Sequence, residues 1–207
     1  MFLGRTLNNQ EYLIQILLKL RSIGIKNDKV LGAIEKIPPH FYYNLFNPNN
    51  DIKKINIDEV LEIAKLLQLS LKDNYKNENI LLLGFKSGWL LLLLTNFCKR
   101  VYGICSSIIH KRKLEEFFLN NNYNNIYLCQ GENILSWSKV APFDLIFIFE
   151  KNEFPFADIV SQLSKKGQGI IPSISENNKL SMIRIDKENF KANQDCNYKL
   201  LINSDLI

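Results

Sequence analysis

Five short apolar runs, at residues 79–83, 101–105, 126–129, 144–149 and 169–172, constrain this chain more than any other feature. Three of the gaps between them hold stretches with helical spacing, at 88–97, 108–122 and 156–164. A strand with one wet face alternates apolar and polar residues. Strands that are apolar throughout must be covered on both faces, which is the signature of a parallel sheet flanked by helices. The chain after residue 79 is therefore expected to form a doubly wound, mostly parallel α/β core. Residues 180–185 and 198–202 run apolar with no helix between them and are expected to close the sheet as an antiparallel pair.

The first third reads differently. Leu13, Ile14, Leu17, Leu18 and Leu20 recur at helical spacing over 11–23, and Gly24 stops that helix. Asn27 can cap a second helix with Val30, Leu31, Ile34 and Ile37 on one face. Pro38 and Pro39 end it, because a residue before proline avoids helical backbone. Residues 40–51 are aromatic, then rich in Asn, and read as an irregular connection. Phe41, Tyr42, Tyr43 and Phe46 there are expected to pack over the core. A third helix follows at 58–69, with Val60, Leu61, Ile63, Ala64 and Leu67 inward. The organisation expected is one domain over 1–207, with a helical N-terminal cap at 1–70 and an α/β core at 79–207.

Composition narrows the functional classes. A chain with 46% hydrophobic and 23% charged residues has the make-up of a globular protein. Its formal charge of +5 comes mostly from 21 Lys against 5 Arg, alongside 25 Asn and 26 Ile. That pattern fits biased residue usage on a solvated surface, and the charge is not concentrated as in a nucleic-acid binder. Polar residues Arg5, Asn8, Asn9 and Gln10 interrupt the start too early for a signal peptide. No apolar stretch is long enough to span a bilayer. Cys98, Cys105, Cys129 and Cys196 lack paired spacing, and only His40 and His110 could join them. Neither a metal site nor a disulfide framework is expected, and a reducing cytoplasm is the expected location.

In a doubly wound sheet, ligands bind beyond the carboxyl ends of the strands. Three such ends carry information. The first is Leu83-Gly84-Phe85-Lys86-Ser87-Gly88-Trp89, a strand, a turn with two glycines, then a helix. That geometry brings backbone N–H groups close to a nucleotide-like ligand, although a plain strand-to-helix turn would also favour both glycines. At the second end stands Cys105, followed by Ser106 and Ser107, where a carboxylate would normally take both ribose hydroxyls. The third is Gln130-Gly131-Glu132-Asn133, where Glu132 could meet an adenine amino group. Asp144, opening the next strand after Ala141-Pro142-Phe143, is expected to tie a loop.

Taken in order, these pieces resemble the protein-L-isoaspartate O-methyltransferase family. The matching residues are Ile34-Glu35-Lys36-Ile37-Pro38, Leu82-Leu83-Gly84-Phe85-Lys86-Ser87-Gly88-Trp89, and Val101-Tyr102-Gly103-Ile104-Cys105. They continue with Gln130-Gly131-Glu132-Asn133, Ala141-Pro142-Phe143-Asp144, and the run from Gln162-Leu163 to Gly169-Ile170-Ile171-Pro172. The resemblance implies a Rossmann-like S-adenosylmethionine-dependent methyltransferase fold. It implies S-adenosylmethionine as cofactor, held by Gly84, Lys86, Gly88, Cys105, Ser106, Gly131 and Glu132. It further implies a damaged protein or peptide bearing isoaspartate as acceptor, methylated on its α-carboxylate, by a protein expected to act as a monomer without nucleic acid or membrane.

The sequence departs from the family at the rim. Lys86 replaces the middle glycine of the turn, and Cys105 replaces the ribose acid. The segment before the third helix, residues 53–59, has no Ser or Thr where the family has a substrate-contacting serine; Ile55 and Asn56 are the nearest positions, so no catalytic residue is assigned. Three readings follow: a working isoaspartyl methyltransferase with altered pocket motifs, a non-catalytic binding or scaffold descendant that has lost the cofactor, or a methyltransferase acting on another acceptor.

Overall fold

The computed structural model describes residues 9–40, 42, 57–71, 77–85, 87–150, 155–174, 180–189 and 198–203. It divides into two units, Met1–Gln68 and Leu69–Ile207.

The first unit is helical. Helix α1 spans Asn9–Ser22 and α2 spans Asp28–Lys36. Between them Gly24 takes a left-handed φ of +92°, which glycine adopts without a Cβ penalty. Asn27 caps α2, its side chain accepting from the N–H groups of Lys29 at 3.0 Å and Val30 at 3.2 Å. Helix α3, Ile57–Ser70, supplies Gln68 to the same turn. The Gln68 Oε1 atom accepts from the N–H groups of Lys26 at 2.7 Å and Asn27 at 3.0 Å, while its Nε2 donates to the Gly24 carbonyl at 3.1 Å. One amide side chain thus answers backbone groups that the end of one helix and the start of the next leave open.

On α1 the buried stripe is Ile16 and Leu20. Ile14 and Leu18, members of the apolar set at helical spacing, are 56% and 62% exposed. Two residues along a helix is a rotation of about 200°, so a stripe centred on Ile16 and Leu20 turns Ile14 and Leu18 outward. Tyr42 is fully buried, as expected; Phe41, Tyr43 and Phe46 lie outside the described residues.

The second unit is built on a seven-stranded sheet ordered β3-β2-β1-β4-β5-β6-β7. The strands are β1 Asn77–Leu83, β2 Cys98–Cys105, β3 Ile126–Gln130, β4 Phe143–Ile148, β5 Leu163–Ile174, β6 Leu180–Asp186 and β7 Tyr198–Asn203. The first five pair in parallel, and β5–β6 and β6–β7 are antiparallel. Ile80–Leu83 on β1 and Leu145–Ile148 on β4 are almost completely buried, as strands covered on both faces must be. Helices α4 (Gly88–Leu94), α5 (Ile108–Asn120) and α6 (Phe156–Gln162) join the parallel strands, with a 3-10 helix at Ile134–Val140 before β4.

Several boundaries differ from the sequence reading, two of them at helix ends that strand pairing sets. Helix α4 stops at Leu94, because Cys98 already pairs with Asn77 and the three residues between them must turn. Helix α6 stops at Gln162, since Leu163 is paired with Phe143 and begins β5 directly. β5 then takes five steps, Leu163 to Gln168, where β4 takes two, Phe143 to Leu145. The surplus forms a bulge in which a Cβ on Gly167 would lie 2.8 Å from the Phe143 carbonyl oxygen.

Asp144 ties the amino ends of these strands. Its Oδ2 accepts from the Glu78 N–H at 2.6 Å and the Asn79 N–H at 3.4 Å, and its Oδ1 accepts from the Ser164 hydroxyl at 2.8 Å. One carboxylate therefore links β1, β4 and the β5 bulge. Among the described residues, no helix is long and apolar enough to cross a membrane.

Candidate active site

Chain order reverses in space between β1 and β4, which are neighbours through the pairs Leu81–Ile146 and Leu83–Ile148. A crevice at the carboxyl end of the sheet forms at such a reversal. The first strand end there is Gly84, with φ of +78°. A Cβ on it would lie 2.7 Å from the Glu150 nitrogen and 3.0 Å from the Phe149 carbonyl carbon, and would overlap the Glu150 side chain. The Phe149 N–H donates to the Leu83 carbonyl at 2.9 Å. Backbone therefore meets backbone, and only glycine satisfies both the dihedral and the space.

The turn then enters α4 through Ser87, which has extended backbone and makes no side-chain cap bond. Gly88 and Trp89 are buried at the start of that helix. Lys86 lies outside the described residues, as do Ile55 and Asn56.

Beside this turn, β2 ends in Cys105 and Ser106. Cys105 is only 4% exposed. Burial, with a smaller effect from the Cys129 thiol, pushes its pKa up to about 11. It is a neutral thiol near neutral pH and cannot act as the anionic acceptor that a carboxylate provides at this place. Ser106 next to it is exposed. Ser107 caps α5, its hydroxyl accepting from the His110 N–H at 3.3 Å.

The third strand end is braced from two sides. The Gly131 N–H donates to the Cys105 carbonyl at 3.0 Å. A Cβ on Gly131 would overlap the Ser136 hydroxyl, which donates to the Asn133 carbonyl at 2.7 Å. Asn133 in turn caps the 3-10 helix by accepting from the Leu135 N–H at 2.9 Å. That helix delivers Trp137, whose Nε1–H donates to the Gly103 carbonyl at 3.2 Å. Glu132 is exposed in this held loop, as is Asn133 beside it.

Gly84, Gly88, Cys105, Ser106, Gly131 and Glu132 thus gather at the carboxyl ends of three adjacent strands, β1, β2 and β3. The brace itself was not legible in the sequence. Asn133 and Ser136 are short polar residues at N-cap and first-turn spacing, and that spacing is the signal that could have found the 3-10 helix. Among the described residues no three His, Cys, Asp or Glu side chains gather to hold a metal ion.

Comparison with known proteins identifies the family and the fold. The family model described as protein-L-isoaspartate(D-aspartate) O-methyltransferase matches residues 8–202. A protein-L-isoaspartate O-methyltransferase of Maricaulis maris is 29% identical over 178 residues, covering 80% of each chain. One of Dictyoglomus thermophilum is 27% identical over 161 residues, covering 74% of this chain and 72% of its own. Among solved structures, a protein-L-isoaspartate O-methyltransferase superposes with a TM-score of 0.67 at 15% identity. It covers 93% of this chain, which spans 65% of that structure's length. A Plasmodium falciparum protein assigned to the same enzymes, solved with S-adenosyl-L-homocysteine, gives 0.65 at 15% identity, covering 93% and 95% of the two chains. At that identity the structural likeness speaks to the fold, which is the Rossmann-like methyltransferase fold.

Proposed function

Because this chain belongs to the protein-L-isoaspartate(D-aspartate) O-methyltransferase family, we propose that it transfers a methyl group from S-adenosylmethionine to the α-carboxylate of isoaspartyl residues in damaged proteins or peptides. The observation that carries this reading is the Gly84 turn, packed backbone to backbone against Phe149 and Glu150 at the reversal between β1 and β4. S-adenosylmethionine, when bound, supplies a methyl group already activated on a sulfonium.

The chemistry then asks little of the protein beyond placement. A carboxylate acceptor is ionised at neutral pH, so no general base is required. The donor set fits the cofactor. The Gly84–Gly88 turn offers close backbone approach, the Ser106 hydroxyl can share a hydrogen bond with a ribose hydroxyl, and the Glu132 carboxylate can accept from an amino group. Ser106 supplies at most part of what a ribose carboxylate would, and Cys105 supplies none of its charge. The cofactor is therefore held mainly by the turn and by the β3 loop.

The test is calorimetric titration with S-adenosylmethionine, followed by methyl transfer to paired isoaspartyl and aspartyl peptides. Saturable binding and transfer to the isoaspartyl peptide alone are expected. Absence of heat at millimolar cofactor, or equal methylation of both peptides, overturns the proposal.

A further inference from the structure

We infer that Phe85 is a positioning residue, its ring seated against Gly103 of β2 so that the β1–α4 turn keeps the shape that receives the cofactor; this deepens the proposed function and rests on it. Gly103 shapes the seat. A Cβ there would lie 2.6 Å from Leu128 Cδ2, 3.2 Å from Leu91 Cδ2 and 3.2 Å from Phe85 Cε1. Side chains from α4, from β3 and from the turn itself therefore converge on a dimple that exists only because residue 103 has no side chain.

The depth of that dimple decides what the ring does. Gly103 pairs with Leu82 on one side and Leu128 on the other, so it lies below the strand ends at Leu83, Cys105 and Gln130. The Phe85 ring consequently reaches down between the sheet and its covering helices. A further neighbour is the His110 ring on α5, 6.2 Å away between centroids and tilted by 49°. Phe85 follows Gly84, which is fixed against Phe149 and Glu150, and precedes Gly88, which is buried in α4. Gly84, Phe85 and Gly88 are thus each held by packing. A turn that is already ordered loses less freedom when a ligand arrives, which favours binding.

The opposite role for the same ring, occupation of the space that the cofactor's adenosyl group needs, makes the opposite prediction. The experiment measures S-adenosylhomocysteine binding by calorimetry on the full chain for wild type, Phe85→Ala, Phe85→Leu and Gly103→Ala. Phe85→Ala is expected to weaken binding at least fivefold and raise KM for S-adenosylmethionine by a similar factor, with kcat changed less than twofold. Phe85→Leu, which keeps an apolar anchor, should return within twofold of wild type. Gly103→Ala, which crowds the seat from below, should reproduce the weakening.

A second readout does not depend on the cofactor. Burial, with a smaller effect from Lys113, holds the His110 imidazole below its usual pKa. Proton NMR titration should show it rising toward about 6.5 in Phe85→Ala, as water reaches the ring. Tighter or unchanged S-adenosylhomocysteine binding in Phe85→Ala overturns the inference while leaving the methyltransferase reading intact. An unmoved His110 titration overturns the packing of Phe85 over the His110 ring. A wild type that binds no S-adenosylhomocysteine overturns the functional reading, and the positioning role falls with it.

Discussion

The two halves of the rim are built on different principles. Where β1 meets β4, backbone is set against backbone: Phe149 donates to Leu83, and Gly84 fits with no atom to spare. Where β2 meets β3, the backbone is also tied, through the Gly131 N–H and the Cys105 carbonyl, but Ser106 and Glu132 reach solvent. Substitution at the first place must be paid in folding free energy. At the second, substitution of the exposed Ser106 or Glu132 changes what can be bound and leaves the fold alone, whereas Cys105 and Gly131 are packed. Of the departures from the family, Lys86 falls in the first region and Cys105 in the second, while Gly84 is retained.

The sharpest way to break this contrast is Gly84→Ala. A left-handed φ costs an alanine roughly 1–2 kcal/mol, and forcing a methyl group into filled space costs about 1–3 kcal/mol more. Urea denaturation should record a loss of about 2–5 kcal/mol, with S-adenosylhomocysteine binding abolished. A variant as stable as wild type would show that the junction yields.

The next largest effect belongs to the opposite end of the same strands. Asp144→Ala removes the acceptor for Glu78, Asn79 and Ser164, and should cost about 1.5–3 kcal/mol in the same assay. Calorimetry should find cofactor affinity unchanged, since Asp144 lies at the amino ends. An affinity that falls with stability would mean the two ends of the sheet are coupled.

Buried thiols come third. Cys98 and Cys105 are raised from 9.0 to about 12 and about 11. The folded state therefore holds their protons more tightly than the unfolded chain does. Their stabilising contribution is complete below about pH 9 and is lost as pH rises through 9 toward 11–12. Denaturation midpoints should fall over that window, less steeply in Cys105→Ala; parallel slopes would mean that Cys105 does not titrate from a buried site.

The smallest effect on stability is expected at Glu132. Glu132→Gln should leave the unfolding free energy from urea denaturation within about 0.5 kcal/mol of wild type, while S-adenosylmethionine affinity falls about tenfold through loss of a charged acceptor. A destabilised Glu132→Gln would erase the distinction between the two halves of the rim.

Much of the frame was readable from local signals. Apolar runs without alternation announced the parallel strands, and the spacing of Gly84 and Gly88 announced the turn. Asn27 announced its cap. What could not be read depended on partners distant in sequence. The end of α6 at Gln162 follows from Leu163 pairing with Phe143, twenty residues earlier, and no residue near 162 declares it. The inward stripe of α1 needed the packing of the whole unit to choose between Ile14 and Ile16. Phe85 gave no hint of its seat, because the seat is made by Gly103 on the next strand. The interpretable trace was Gly103 itself, a missing side chain within the apolar run Val101-Tyr102-Gly103-Ile104. Cys105 was placed among cofactor ligands by its position at the strand end; only burial reveals its neutral character.

The bulge that opens β5 has a bearing on how the chain can change length. Helix α6 passes into β5 with no loop residue between Gln162 and Leu163, so an insertion or deletion there has no slack in which to dissolve. The surplus residues around Gly167 are the nearest slack, but Gly167 is wedged against the Phe143 carbonyl. Losing one residue from this stretch would slide β5 by one position, exchanging the sides to which Ile170 and Ile171 point. β6 takes its register from β5, and β7 from β6, so the slip would pass to the far edge of the sheet. Viable length variants of this protein should therefore be found in the connections outside the sheet and be missing between residues 162 and 168.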